Sequence, residues 1–254
     1  MDIPQQKQFK ILLIGDNCKD VYRFGTVDRI SPEAPVPIFK FSHDESKPGM
    51  AANVQLNLES LGCEVVPCFG QESTKIRFID IRSKQHIMRS DWDVVDLPLL
   101  LKDIPHDLTD FDAIVISDYE KGYVSYELID GLRTSFDGPI FIDTKKTSLS
   151  NLAGCYLKIN QLEASRVVSL PEPEFVIITM GGNGAFWNGQ TFKAKEVEVA
   201  DVCGAGDTFL SALTYQYLNN NDMNSAIEFA IRASSLTVQH FGNYAPALGE
   251  INVS

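Results

Sequence analysis

Positive charge is scarce in this sequence. Its 22 Lys and Arg stand against 34 Asp and Glu, a formal net charge of −12. No basic stripe is left to neutralise a phosphate backbone, which argues against a nucleic-acid partner. An anionic small molecule remains open, because a local group of Lys and Arg can hold it against the overall field. Cysteine is sparse: Cys18, Cys63, Cys68, Cys155 and Cys203 are odd in number and lack metal-ligand spacing, and His43, His86, His106 and His240 are scattered. Neither a disulfide framework nor a structural zinc is expected, and reduced thiols fit a cytoplasmic location. Apolar runs long enough to cross a bilayer are missing, and the polar stretch Met1 to Lys10 is no signal peptide, so no membrane partner is expected. Repeats, low-complexity tracts and interdomain linkers are missing too. The chain reads as one large domain over residues 1–254.

What is present is a regular alternation of short apolar runs and helical patterns. Lys10–Asp16, Ala113–Ser117, Pro139–Asp143, Cys155–Ile159 and Phe175–Thr179 read as buried parallel strands, each ending in polar or glycine residues. A parallel sheet with a site along its carboxyl edge has this signature. Asp16 falls at such an edge, although a turn-initiating Asp looks the same locally. Tyr22 to Phe41 forms two strands around a proline-rich turn, an excursion from the main sheet because Pro removes ladder donors. Glu64–Gly70 reads as a strand, followed by two more from Ser73 and from Gln85, and Asn188-Gly189 marks a hairpin. A closing helix runs from about Met223 to Gln239.

The chemistry concentrates in Asp201-Val202-Cys203-Gly204-Ala205-Gly206-Asp207-Thr208-Phe209, where a helical pattern through Leu210, Leu213 and Tyr217 begins. Glycines admit an anion close to the backbone, and the free N–H groups and dipole of a helix start favour it there. Asp207 at that mouth is placed to take a proton from a hydroxyl, which with Gly204, Ala205 and Gly206 as anion hole outlines phosphoryl transfer. A carboxylate favoured merely by the helix dipole is the structural alternative.

This segment resembles the C-terminal signature of the ribokinase-like (PfkB) carbohydrate kinases, with Val202 at a position usually held by Thr. The resemblance covers roughly Ile11 to Pro246. Arg29-Ile30-Ser31-Pro32-Glu33-Ala34-Pro35-Val36-Pro37, Thr74-Lys75-x-Arg77 and Gln85-x-x-x-Arg89-x-Asp91 are similar to the heptose 7-phosphate kinase modules of ADP-heptose synthesis, a branch of that family. It implies an open, mostly parallel α/β sheet with helices on both faces. A small β lid over residues 22–41 and the strands near 75–91 would pair two subunits as a homodimer. Residue by residue it implies Asp207 as catalytic base, and Asp16, Gly49, Asn53, Asp118, Lys121, Arg77 and Arg89 around the acceptor. It further implies Lys145, Asn160, Glu163, Thr179, Gly181, Gly184 and Asn243 around ATP. Asn160 and Glu163 would hold Mg²⁺ through water, and Asp201 and Cys203 a monovalent cation such as K⁺.

Two departures accompany it. Met50 replaces the second glycine of the family's Gly-Gly-Ala-x-Asn, and the chain passes from Gly70 to Thr74 where relatives insert a helix and a strand. The expected function is ATP-dependent phosphorylation of a sugar phosphate, most like D-glycero-D-manno-heptose 7-phosphate at its anomeric hydroxyl. Since the sequence stops at Ser254, no adenylyltransferase activity is expected. A kinase for another sugar, or a sugar- or nucleotide-binding module without turnover, are the alternatives.

Overall fold

The computed structural model describes residues 8–104 and 107–253, so the polar N-terminal stretch up to Lys7 and His106 lie outside the described residues. The strands are β1 (Lys10–Ile30), β2 (Pro37–Met50), β3 (Glu64–Asp80), β4 (His86–Trp92), β5 (Ala113–Asp118), β6 (Ile140–Thr144), β7 (Tyr156–Asn160), β8 (Val176–Thr179), β9 (Ala185–Trp187) and β10 (Gln190–Phe192). The helices are α1 (Ala51–Ser60), α2 (Tyr126–Ser135), α3 (Gln161–Ala164), α4 (Ala205–Asn220), α5 (Met223–Thr237) and α6 (Leu248–Val253). The strands form one sheet in the order β10-β9-β8-β7-β6-β5-β1-β3-β4, with β2 pairing β1. Pairings from β8 through β3 are parallel; β2, β4, β9 and β10 join antiparallel.

Each apolar strand run serves two cores, because successive side chains leave a strand on opposite faces. Ile11 and Leu13 pack with residues of α1, α4 and α5, while Leu12 and Ile14 pack with Leu128, Ile129 and Leu132 of α2. Both faces of the sheet are thus covered by helices, as a parallel sheet requires. No helix among the described residues is long and apolar enough to cross a membrane.

β1 and β3 are longer than the sequence suggests. Instead of one strand over Glu64–Gly70 and another from Ser73, β3 runs unbroken to Asp80 beside β1, parallel from Lys10↔Glu64 to Gly25↔Asp80. The reason is the short link after Gly70: the three residues before Thr74 cannot hold a helix and a strand, so the backbone stays extended. Where the register shifts, Gly70 and Gln71 of β3 stand opposite Asp16 alone. Such a bulge re-aims the residue facing it. Beyond Gly15, β1 leaves β5 and takes β2 as its antiparallel neighbour. A four-stranded extension, β2-β1-β3-β4, therefore projects from the carboxyl edge of the sheet.

Candidate active site

The start of α4 collects the buried polar groups. Gly204 caps the helix in the left-handed region (φ 77°), which glycine adopts without strain. A Cβ there would also fall within 3.0 Å of Asn53 Nδ2 and Asn243 Oδ1. Gly206 is required for a different reason: a side chain would strike the Lys158 ammonium, which would lie 2.8 Å from its Cβ. Asp207, one residue on, is buried. Asn53 Nδ2 donates to its Oδ2 at 2.7 Å, and the Tyr119 hydroxyl donates to its Oδ1 at 3.3 Å. Burial pushes the Asp207 carboxyl up to about 6; the Asn53 hydrogen bond opposes this, and the Asp143 charge adds to it. A carboxyl poised there is ionised at neutral pH yet basic enough to accept a proton.

Asn53 reaches Asp207 because α1 packs against α4. Thr208 Oγ1 donates to Asn57 Oδ1 at 2.8 Å, and Ser211 Oγ to the Val54 carbonyl at 3.2 Å. Asp16, at the register shift, accepts from the N–H groups of Tyr119 (2.6 Å) and Lys121 (3.3 Å) through Oδ2. Its buried Oδ1 has no hydrogen-bond partner among the described residues. Burial holds this carboxyl above its ordinary range, the two backbone donors opposing. A buried, unpartnered carboxylate oxygen is an acceptor waiting for a hydroxyl. Gly49 leaves room for Asp20, whose Oδ2 would lie 2.5 Å from a Cβ at that position. Asp20 pairs with the buried Arg77 guanidinium and accepts from Asn243 Nδ2 at 3.2 Å.

On the other side of the α4 start lies a cavity of about 580 Å³, within the range of small-ligand sites, lined by Thr179, Gly181, Gly184, Ala205, Gly206 and Val238 among others. Three of the seven residues expected at a nucleotide, Thr179, Gly181 and Gly184, therefore meet the glycine-rich helix start. Below Gly206, Lys158 Nζ lies 2.5 Å from Asp143 Oδ2, both buried, while Asp143 Oδ1 has no hydrogen-bond partner among the described residues. Lys145 is paired with Glu163, and its ammonium stands 5.1 Å from the Tyr119 ring centre.

Several expected residues are placed differently. Asp118 leaves no carboxylate oxygen free: it accepts from Thr144 Oγ1 (2.6 Å), Glu120 N–H (2.9 Å) and Lys146 Nζ (2.9 Å), a buried network that fixes the loop. The Lys121 side chain turns to Asp93 at 2.5 Å, so only its backbone serves the site, through Asp16. Arg89 lies exposed on the outer strand β4 and is taken by Asp91 at 2.8 Å. Asn243 is not part of the lining of the large cavity; its amide donates to Asp20 and to the Pro48 carbonyl (2.6 Å), on the acceptor side. Asn160 and Glu163 close a reciprocal cap on α3, each accepting the other's N–H.

Residues missed in the sequence complete the site: Asp20, Tyr119, Asp143 and Lys158. Lys158 carried a signal, a cation inside an otherwise apolar strand, which is tolerated only when paired. The donor set fits Mg²⁺ held through water, since Asp143 Oδ1, which has no hydrogen-bond partner among the described residues and stands 3.9 Å from Lys145 Nζ, adds a carboxylate oxygen to Asn160 and Glu163. A monovalent cation beside Asp201 and Cys203 fits poorly. Asp201 Oδ1 and Oδ2 accept from the Cys203 N–H (3.0 Å) and the Gly242 N–H (3.1 Å). The carbonyls of Phe241 and Asn243, flanking that glycine, accept from the Lys47 ammonium at 3.1 Å each.

Residues 156–248, which include the α4 start, Lys158, Asn160 and the 179–184 turn, match the pfkB family of carbohydrate kinases. That part of the chain is therefore similar to a PfkB carbohydrate kinase domain. Among its relatives, the bifunctional protein HldE of Campylobacter jejuni is 28% identical over 302 residues, covering 99% of this chain. That of Helicobacter acinonychis is 29% identical over 306 residues, covering 95%. The chain spans 66% and 65% of those two proteins' own lengths. Both alignments are longer than the chain, so both relatives carry residues within the matched region that this chain lacks. The fold is ribokinase-like. The ribokinase of Arabidopsis thaliana, solved with ribose and ATP, superposes with a TM-score of 0.71 at 14% identity, over 97% of this chain and 98% of that one. Phosphofructokinase-2 of Escherichia coli gives 0.71 at 15% identity, over the same shares.

Proposed function

We propose that this chain is an ATP-dependent sugar kinase whose acceptor is a sugar phosphate, most like D-glycero-D-manno-heptose 7-phosphate at the anomeric hydroxyl. The observation that carries the reading is the Asp207 carboxyl, held by Asn53 at the glycine-rich start of α4 beside the large cavity, with Tyr119 joining it to Asp16. The heptose assignment draws on the likeness to the bifunctional HldE proteins and to their sequence segments.

The acceptor hydroxyl takes the place of the Tyr119 hydroxyl at Asp207 Oδ1, while Asn53 keeps Oδ2 oriented. As the oxygen attacks the γ-phosphoryl, its proton passes to Asp207. The N–H groups of the Gly204–Gly206 segment and the Lys158 ammonium gather the charge that develops on the transferring group. Asp16 Oδ1 and Asp20 accept from sugar hydroxyls, and Arg77 faces the acceptor's own phosphate. The adenosine part of ATP occupies the cavity lined by Thr179, Gly181 and Gly184. Mg²⁺, when bound, neutralises phosphate charge, and Asp143, Asn160 and Glu163 would hold it through its waters. The extension over residues 22–41 and 75–91 acts as a lid, and exposed Ile30, Phe41 and Met88 on it suit a homodimer contact. The setting is cytoplasmic.

A different sugar is the second reading, favoured by Met50. This buried side chain sits at φ 51°, ψ −132°, a conformation natural to glycine, at the junction of Gly49 and α1. ADP release from ATP and Mg²⁺ with free sugars, hexose phosphates and heptose 7-phosphates, beside Asp207→Asn, tests both. Turnover on heptose 7-phosphate alone, lost in the variant, supports the first reading. Turnover on another sugar supports the second, and ligand-raised melting temperatures without turnover overturn both in favour of a binding module.

A further inference from the structure

We propose that the Lys47 ammonium is a built-in cation that makes this protein independent of a dissociable monovalent ion. Lys47 lies near the end of β2, and its Nζ is 3.1 Å from the carbonyl oxygens of both Phe241 and Asn243, across 194 and 196 residues of chain. The same ammonium stands 5.9 Å from the centre of the Tyr22 ring. Tyr22 is buried, and its hydroxyl has no hydrogen-bond partner among the described residues. Two carbonyl oxygens and an aromatic face around one positive charge are what a weakly hydrated monovalent cation takes up in place of water.

The turn is closed around this charge. Gly242 sits at φ 68°, and a Cβ there would come 3.1 Å from both Lys47 Nζ and the Tyr22 ring. The turn is also tied to the helix start. Gly242 N–H donates to Asp201 Oδ2, and Asp201 Oδ1 accepts the Cys203 N–H one residue before Gly204. Asn243 Oδ1 would lie 3.0 Å from a Cβ on Gly204, and the Asn243 amide donates to the Pro48 carbonyl next to Lys47. One turn therefore connects the ammonium to the backbone that opens α4. A free ion competing for the carbonyls must displace a tethered charge at high effective concentration and sit beside it against repulsion. The tethered ammonium wins. Lys47 is on this account a positioning residue for Gly204, and only its catalytic consequence rests on the kinase reading.

The test is cation-specific stability without substrates. Melting temperatures of the wild type and of Lys47→Met are measured in KCl, NH₄Cl and choline chloride at equal ionic strength. The wild type is expected to melt within about one degree in all three, whereas the variant melts lower in choline and regains most of the loss in K⁺ or NH₄⁺. A variant that folds only in those two salts gives the same answer. A wild type stabilised by K⁺ over choline overturns the proposal, and that arm needs no variant. So does a variant whose loss no cation restores, since mere removal of a packing stem predicts that result. If the chain turns over, wild-type rates are equal in K⁺ and choline, and the variant gains a requirement for K⁺ or NH₄⁺. Absence of turnover counts against the kinase reading and leaves the thermal result to decide this one.

Discussion

Asn53 Nδ2 and Asp207 Oδ2 are 2.7 Å apart at the meeting of α1 and α4, so the third residue of one helix orients the third of another across 154 positions. The donated hydrogen bond lowers the Asp207 pKa against burial. Asn53→Ala removes it and leaves one carboxylate oxygen without its donor. A hydrogen bond to a charged group contributes about 1.5–3 kcal/mol, or about one to two pKa units. The acid limb of the kcat/KM profile is therefore expected to move up by about that much, with kcat falling about tenfold or more. An unchanged limb would show that Asn53 serves only the helix contact.

Asp207 itself links activity and stability with opposite signs. As a base it must be ionised, so activity rises with pH through about 6. For stability, its folded pKa lies above the unfolded value near 3.8, so the folded state binds the extra proton between those values. Stability then falls as pH rises from about 4 to about 6 and stays at the lower level above it. About two units correspond to about 3 kcal/mol. Asp207→Asn should thus lose 10²–10⁴ of turnover while unfolding at higher urea at pH 8, with the gain vanishing near pH 4. Equal stabilities of the two proteins at pH 8 would contradict the buried-charge account.

The α/β alternation and the helix start at Gly204 were legible because they are local. Apolar runs, glycine spacing and a carboxylate in the first helical turn are written within a few residues of one another. Side-chain partnership was not. Asp118 and Asp16 both close a short apolar run and look alike in sequence, yet Asp118 is consumed by Thr144 and Lys146 while Asp16 keeps a bare oxygen. Asn243 falls to Asp20 instead of the large cavity because β1 bends out of the main sheet, which depends on β2 replacing β5 beyond Gly15. The unbroken β3 is not legible locally because Gly70 reads as a strand end, and only pairing along its whole length with β1 holds it extended.

Lys158 and Asp143 form a pair in which each charge depends on the other. Both are buried and 2.5 Å apart. Lys158→Met leaves the Asp143 carboxylate beneath Gly206 with only the more distant Lys145 ammonium, 3.9 Å from its Oδ1, and breaking a buried pair costs about 3–5 kcal/mol. Adding Asp143→Asn removes the stranded charge, so the double variant should recover much of the stability measured by urea unfolding. Turnover should stay low in both, because the cation next to the anion hole is gone. Full activity in the double variant would place Lys158 outside the chemistry.

Met50 gives the sharpest separation of fold from selectivity. Its φ of 51° and ψ of −132° strain any residue with a Cβ, at a cost of about 1–3 kcal/mol. The side chain is buried, yet it belongs to neither apolar core. Ordinary core methionines stabilise by packing, and replacing one with glycine costs several kcal/mol. Here relief of strain offsets the lost burial, so Met50→Gly should leave the melting temperature unchanged or raised. The freed volume lies between Gly49, which abuts Asp20, and the helix that carries Asn53. Larger acceptors should then gain in kcat/KM relative to smaller ones, by about tenfold for each further methylene-sized group admitted. A large fall in melting temperature with unaltered selectivity would instead make Met50 a packing residue and leave the choice of sugar to Asp16, Asp20 and Arg77.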